Sequence, residues 1–208
     1  MIYFKSKKSL DTFLMVFILG AVKAYRRNYI DLTILEYYIF SMSIRLMCRK
    51  VHLSAKLLNI IGDGMSLEDV DEWMARRIPI PALNDTLDDI ECSSWIALIE
   101  RELEGNTLSE ALKISTHDEK KFGIYFFTDY VEEIFWALFL LGLYEVLQKP
   151  EFISESIISC IKQSYLSEIY TCERIQDEDF QACISNLQEI SDTNISGQLS
   201  KDLITMKA

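Results

Sequence analysis

The chain has 208 residues, half of them hydrophobic and a quarter charged, with a formal net charge of −11. A chain of this length buries roughly 70 % of its unfolded surface, which argues against a disordered protein and against a small domain that needs disulfides or metals to fold. Only 7 glycines and 3 prolines interrupt it, and so few turn-forming residues favour helices over a many-stranded sheet.

Charge is distributed unevenly along the chain. Residues 1–60 carry ten Lys or Arg against three Asp or Glu, a balance of +7, and residues 61–208 carry eleven against twenty-nine, a balance of −18. An acidic surface repels nucleic acid and attracts a basic protein. We therefore expect a basic protein partner and no nucleic acid.

The N-terminal stretch has the outline of a secretory signal peptide, because three lysines precede the apolar run Phe13–Val22. Asp11 stands between them, and Lys23 lies inside the would-be cleavage motif; both features oppose export. Ser9 is well placed to cap a helix over residues 10–27, with Asp11 in its first turn. We therefore expect the central core helix of a cytoplasmic protein.

The five cysteines support the same compartment. They are odd in number, scattered, and contain no CxxC pair. A secreted disulfide framework usually has an even number of cysteines in a shorter chain. We expect reduced thiols, most of them packed in the core.

The remaining elements are predicted from apolar spacing and capping residues. Asp31 caps a second helix that runs to about residue 50, and Ser54 begins a third that stops at Gly62-Asp-Gly. Further helices are expected over about residues 66–78, 86–104, 131–147, 151–166 and 178–190, and capping boxes at Thr107–Glu110 and Thr116–Glu119 indicate two more helix starts. The fold class is therefore all-α: a single multi-helix bundle of roughly eight or nine helices over residues 1–192, without a strand, followed by a polar tail over residues 193–208.

The most apolar of these helices, over residues 131–147, is not expected to cross a membrane. Its uninterrupted apolar run, Ile134–Tyr144, is 11 residues long, whereas a span needs roughly 20. We expect no membrane partner.

Residues suited to catalysis are few. Cys48 and His52 are four apart, so they could form a thiolate–imidazole pair on one helical face. The simpler expectation is that Cys48 packs inward and His52 lies at a helix end. Because the chain has only two histidines and no Gly-rich phosphate loop, we expect no enzymatic activity and no cofactor.

Three aspartates are the best candidates for metal binding. Asp85, Asp88 and Asp89 share one face of a predicted helix, and carboxylates so placed can hold Mg²⁺. The simpler interpretation places them in the first turn, where acids cap a helix and complement its dipole. The alternative function that follows from the metal is a helical enzyme acting on a phosphorylated substrate, and it requires facing acids from another helix.

The acidic middle of the chain is the strongest functional signal. Residues 61–133 carry eighteen acids against six bases, a balance of −12. Such a surface either is a solvated face that keeps the protein soluble or is a docking site for a basic protein. Complementary charge would support docking, because it raises association rates and fixes the register of the two partners. The expected docking residues are Glu68, Asp69, Asp71, Glu72, Asp85, Asp88, Asp89 and Glu91.

The segment Ile60–Trp73, IIGDGMSLEDVDEW, resembles a local pattern of small helical immunity proteins from bacterial toxin and contact-dependent inhibition systems. The shared features are a Gly-containing turn and then a leucine and an acidic pair that open a helix. The resemblance covers 14 residues. It implies a cytoplasmic antidote that binds one toxin, such as a nuclease, and carries out no chemistry. A helical adaptor is a further alternative.

Overall fold

In a computed structural model of the protein, the described residues are 2–67, 81–105, 107–113, 122–124, 129–149 and 152. Helices make up 77 % of them, which confirms the predicted mainly helical fold. In chain order the elements are β1 (Ile2–Phe4), α1 (Lys7–Arg26), α2 (Leu32–Tyr38), α3 (Met42–Val51), α4 (Ala55–Gly64), α5 (Pro81–Leu103), α6 (Thr107–Leu112), β2 (Phe122–Ile124) and α7 (Asp129–Leu147).

The predicted number of helices needs correction, and several predicted elements lie outside the described residues. The described ranges contain seven helices, fewer than the predicted eight or nine. The helices predicted over about residues 66–78, 151–166 and 178–190 fall largely or wholly outside the described residues. The domain end at residue 192 and the tail over residues 193–208 also lie outside them.

The prediction that the chain contains no strand is wrong. β1 and β2 pair in an antiparallel ladder, with Tyr3 opposite Gly123. Each strand is three residues long, which is too short to show the alternating pattern that identifies a strand in a sequence. All three side chains of β1 are buried. In the sequence this strand is therefore a short apolar run without the alternation of apolar and polar residues that indicates a strand.

α1 is the central helix, as predicted. Fifteen of its 20 residues are buried, and it packs against α5, α6 and α7. Its start differs from the prediction, because Ser6 rather than Ser9 is the N-cap. The Oγ of Ser6 accepts a hydrogen bond of 3.0 Å from the backbone N–H of Ser9, and Ser9 itself is buried in the first turn.

Aromatic rings dominate the contact between α1 and α7. Phe13 stacks on Phe139 with ring centroids 4.0 Å apart and meets the edge of Trp136 at 6.0 Å. Phe17 stacks on Phe135 at 4.3 Å. Aromatic pairs of this kind add to the stabilisation from the apolar area they bury, which explains why this helix pair forms the middle of the core.

The predicted second helix is divided in two. Asp31 caps α2 as expected, with Oδ1 accepting from the backbone N–H of Ile34 at 2.8 Å. α2 nevertheless ends at Tyr38, and Ser41 caps α3. The buried side chains of Ile39 and Phe40 lie in the intervening turn. Because the apolar spacing continues through this turn, the break is not visible in the sequence.

α4 and α5 form the other side of the molecule. Ser54 caps α4, which ends at Gly64 as predicted. α5 begins at Pro81, earlier than the predicted residue 86; proline is favoured at the first position of a helix, where its missing N–H costs nothing. α5 packs against both α1 and α4. None of the helices within the described ranges is both long and apolar enough to traverse a bilayer.

Candidate functional site

α5 presents one exposed stripe along its length. Its inner positions, among them Leu87, Ile90 and Leu98, are buried. The exposed positions on the opposite side recur at intervals of three or four residues, which places them on one face of a helix. We call this face the outer stripe of α5, and its residues are Asp85, Asp89, Cys92, Ile96, Ile99 and Leu103. The outer stripe is acidic near the start of the helix and apolar near its end.

Four of the eight predicted docking residues lie in the first half of α5: Asp85, Asp88, Asp89 and Glu91. Asp85 and Asp89 are exposed, and neither forms an ion pair with another described residue. The other four predicted docking residues lie outside the described ranges; they are Glu68, Asp69, Asp71 and Glu72.

Arg26, in the last turn of α1, reaches two of these carboxylates. Its guanidinium pairs with Asp88 and, at 3.2 Å, with Glu91. The Asp88 side chain is 66 % exposed, and ion pairs this exposed contribute little to stability. Four carboxylates and one guanidinium leave a net charge of −3. The first half of α5 is therefore partly neutralised from within the molecule and remains negative.

The interpretation of the three aspartates as first-turn caps is wrong. Because α5 begins at Pro81, Asp85 is its fifth residue and Asp88 and Asp89 lie in the following turn. Across the described ranges, no three Asp, Glu, His or Cys side chains converge as metal ligands would. A cation, Arg26, faces Asp88 instead.

Cys48 and His52 do not form a catalytic pair. Cys48 is buried, and burial raises the pKa of its thiol to about 11, so the thiol is protonated near neutral pH and is a poor nucleophile. His52 is exposed and ends α3 in the left-handed conformation, with φ 59° and ψ 48°. The expectation that the cysteine packs inward and the histidine lies at the helix end is confirmed.

A second feature, which the sequence did not predict, is a polar junction between α1, α4 and α5. Asp11 is only 2 % exposed and pairs with the guanidinium of Arg101. Its Oδ1 also accepts a hydrogen bond of 3.1 Å from the backbone N–H of Ser54, the residue that caps α4. In the sequence Asp11 could be assigned only a first-turn role, because its partners lie far along the chain.

This junction forms the floor of an open cleft of about 520 Å³. At the rim, Lys8 pairs with Glu104 at 2.9 Å and Lys56 pairs with Glu100. Among the described residues, the three acids that line the cleft, Asp11 included, are each paired with a cation. These ion pairs connect α1 and α4 to α5 and to the residue that follows it.

Comparison with known proteins gives a family and no described activity. No curated protein matches the chain, and no solved structure matches it. A family model described as "Protein of unknown function (DUF3969)" matches residues 5–111. This range is more than half of the 208 residues and contains both the cleft and the outer stripe of α5. The chain therefore belongs to the DUF3969 family of proteins of unknown function.

Proposed function

We propose that this protein is a non-enzymatic binding protein: a cytoplasmic immunity protein that neutralises a bacterial toxin domain, such as a nuclease, by covering it with an acidic surface. One observation carries the proposal. In the acidic half of the outer stripe of α5, Asp85 and Asp89 are exposed, and neither forms an ion pair within the described part of the chain. A basic surface on a partner complements this face.

The neighbouring ion pairs do not prevent such a contact. Asp88 and Glu91 share Arg26 near the surface, and an exposed pair of this kind is worth at most about 1 kcal/mol. A partner's lysine or arginine can join or replace Arg26 at small cost. The long-range attraction of the remaining negative charge raises the association rate.

The chemistry of the described residues supports a binding role over an enzymatic one. The Cys48 thiol is buried and has a raised pKa, and the acids of the cleft are held in ion pairs. The alternative of a metal-dependent enzyme would need acids opposite Asp88, where Arg26 lies. No described contact favours that alternative.

Growth protection tests the proposal. The probe is the C-terminal domain of a large secreted protein encoded directly upstream, expressed in a host that lacks this protein. We expect that domain to arrest growth and co-expression of this protein to restore it. The proposal fails if no such domain is encoded there, or if growth stays arrested while both folded proteins accumulate.

A further inference from the structure

The exposed large hydrophobic side chains of the described residues fall in two places. Ile96, Ile99 and Leu103 form the apolar half of the outer stripe of α5, and Leu103 is 83 % exposed. The others lie on α3 and just before it: Met42, Leu46, Met47 and Tyr37. Exposed apolar patches mark interaction surfaces, and these side chains give α3 and α5 exposed apolar positions on their outer sides.

The exposed face of α3 also carries charge. Met42, Leu46 and Lys50 follow one another at four-residue intervals, with Arg49 beside them, and all four are exposed. We call these four residues the outer face of α3. Cys48, on the opposite side, is buried. Neither Arg49 nor Lys50 is in an ion pair with any described residue. The outer face of α3 is therefore apolar at its start and basic at its end.

We infer that the protein self-associates, with the outer face of α3 of one copy bound to the outer stripe of α5 of a second copy. The two faces match when the helices run antiparallel. Met42 and Leu46 then pack against Ile99 and Ile96, and Lys50 extends toward Asp89. A parallel arrangement would place the basic end of α3 on the apolar end of α5.

The spacing along the two helices agrees with this match. At about 1.5 Å per residue, Leu46 and Lys50 are about 6 Å apart along α3, and Ile96 and Asp89 are about 10 Å apart along α5. A lysine side chain is long enough to cover the difference of about 4 Å, and its methylene groups can lie over the apolar end of the contact.

The partner is a second copy of this chain because the chain carries both complementary surfaces, the outer face of α3 and the outer stripe of α5. The cations of α1 that lie near acids are engaged within the molecule, namely Lys8, Lys23, Arg26 and Arg27. Neither Arg49 nor Lys50 is in an ion pair within the described part of the chain, and Asp85 and Asp89 provide the opposite charge. Each contact is small compared with a stable interface of about 800 Å² per partner, so we expect reversible association in the micromolar range.

Sedimentation velocity on the full chain tests the inference. Over about 5 to 500 µM, the range expected for a small interface, the wild type should shift from monomer to a larger species. Ile99→Lys should weaken the association about tenfold, as expected for a central apolar contact, and should fold normally because Ile99 is exposed. Asn59→Lys, at an exposed position of α4 outside both faces, should associate like the wild type. A wild type that stays monomeric throughout this range overturns the inference.

Charge-reversal variants test whether the outer face of α3 and the outer stripe of α5 are the two surfaces in contact. Arg49→Glu/Lys50→Glu makes both faces acidic, and Asp85→Lys/Asp89→Lys makes both basic, so each double variant alone should be monomeric. Their equimolar mixture should associate, because each acidic face then meets a basic one. Association of either double variant alone at the wild-type concentration, or a mixture of folded variants that stays monomeric, contradicts the inference. A second copy and the proposed toxin would both use Asp85 and Asp89, so the two contacts exclude each other at this face. The inference stands on the self-association experiments alone, and growth protection measures the immunity function separately.

Discussion

Gly20 of α1 and Gly142 of α7 lie against each other where the two helices cross. A Cβ atom added to Gly20 would lie 1.8 Å from the backbone oxygen of Leu138, and one added to Gly142 would lie 1.9 Å from that of Val16. Neither position has room for a side chain, so the helix backbones are in direct contact. The same pair of helices also carries the ring contacts of Phe13 with Phe139 and of Phe17 with Phe135.

Gly20→Ala should destabilise the protein. We expect the free energy of unfolding to fall by about 2 kcal/mol, because overpacking strain of about 3 kcal/mol outweighs the roughly 1 kcal/mol that alanine gains in helix propensity. Urea denaturation followed by circular dichroism measures this change. Gly62→Ala is the control: its Cβ would lie 3.2 Å from the guanidinium of Arg45, a flexible group that can move away. Equal stability of the Gly20→Ala variant and the wild type would argue against the close crossing.

The buried pair of Asp11 and Arg101 predicts a second large effect. Arg101→Met leaves the Asp11 carboxylate buried without its cation, and breaking a buried pair in this way costs about 3–5 kcal/mol. Lys56→Met is the matched control, because it breaks the exposed pair with Glu100 in the same cleft, which should cost less than about 1 kcal/mol. Similar denaturation midpoints for the two variants would show that Asp11 does not need Arg101.

Local signals in the sequence predicted the helix starts that depend on a single capping residue. Asp31 and Ser54 cap α2 and α4 as expected. Ser6 and Ser9 are both good caps for α1, and because only packing selects between them, the sequence alone does not identify Ser6 as the cap. The break before Ser41 could not be predicted, since the burial of Phe40 depends on contacts with other elements.

The candidate site likewise contains features that the sequence predicts and features that depend on contacts in the folded chain. Asp85 and Asp89 lie opposite the apolar positions of their helix, so their exposure follows from the sequence pattern. The neutralisation of Asp88 and Glu91 by Arg26 could not be predicted, because the three residues meet only in the folded chain. The pair formed by Asp11 with Arg101 was missed for the same reason.

The thiols of Cys48 and Cys92 should differ in reactivity. Cys92 is exposed, whereas burial raises the pKa of Cys48 to about 11 and also blocks access to it. A maleimide reagent at about pH 8 should therefore label Cys92 in the native protein and leave Cys48 unlabelled until denaturant is added. Peptide mapping by mass spectrometry reads out each position. Equal labelling of the two cysteines in the native state would contradict the burial of Cys48.

Glu104 should titrate at low pH because of Lys8. The hydrogen bond from Lys8, and then its charge, hold the pKa of Glu104 below its ordinary value of 4.5. Since this pKa is lower in the folded state, the pair favours folding above the unfolded-state pKa, and its small contribution is lost as the pH falls through the folded-state value.

Lys8→Gln should return the pKa of Glu104 toward 4.5, as measured by a nuclear magnetic resonance titration of its carboxyl carbon. Lys113→Gln is the control. It should raise the pKa of Glu110, which Lys113 lowers by a hydrogen bond, and leave that of Glu104 unchanged. An unchanged Glu104 titration in Lys8→Gln would show that the pair does not form in solution.

The central claim is that the acidic half of the outer stripe of α5 binds a basic partner. The rate of association with the domain used in the growth-protection experiment tests it most directly. At low salt, Asp85→Asn/Asp89→Asn should lower the association rate constant about tenfold, whereas Glu100→Gln/Glu104→Gln, which removes the same charge from the cleft side of the helix, should change it less than about twofold. Equal rates for the wild type and both variants, or a larger loss in the control, would contradict the claim.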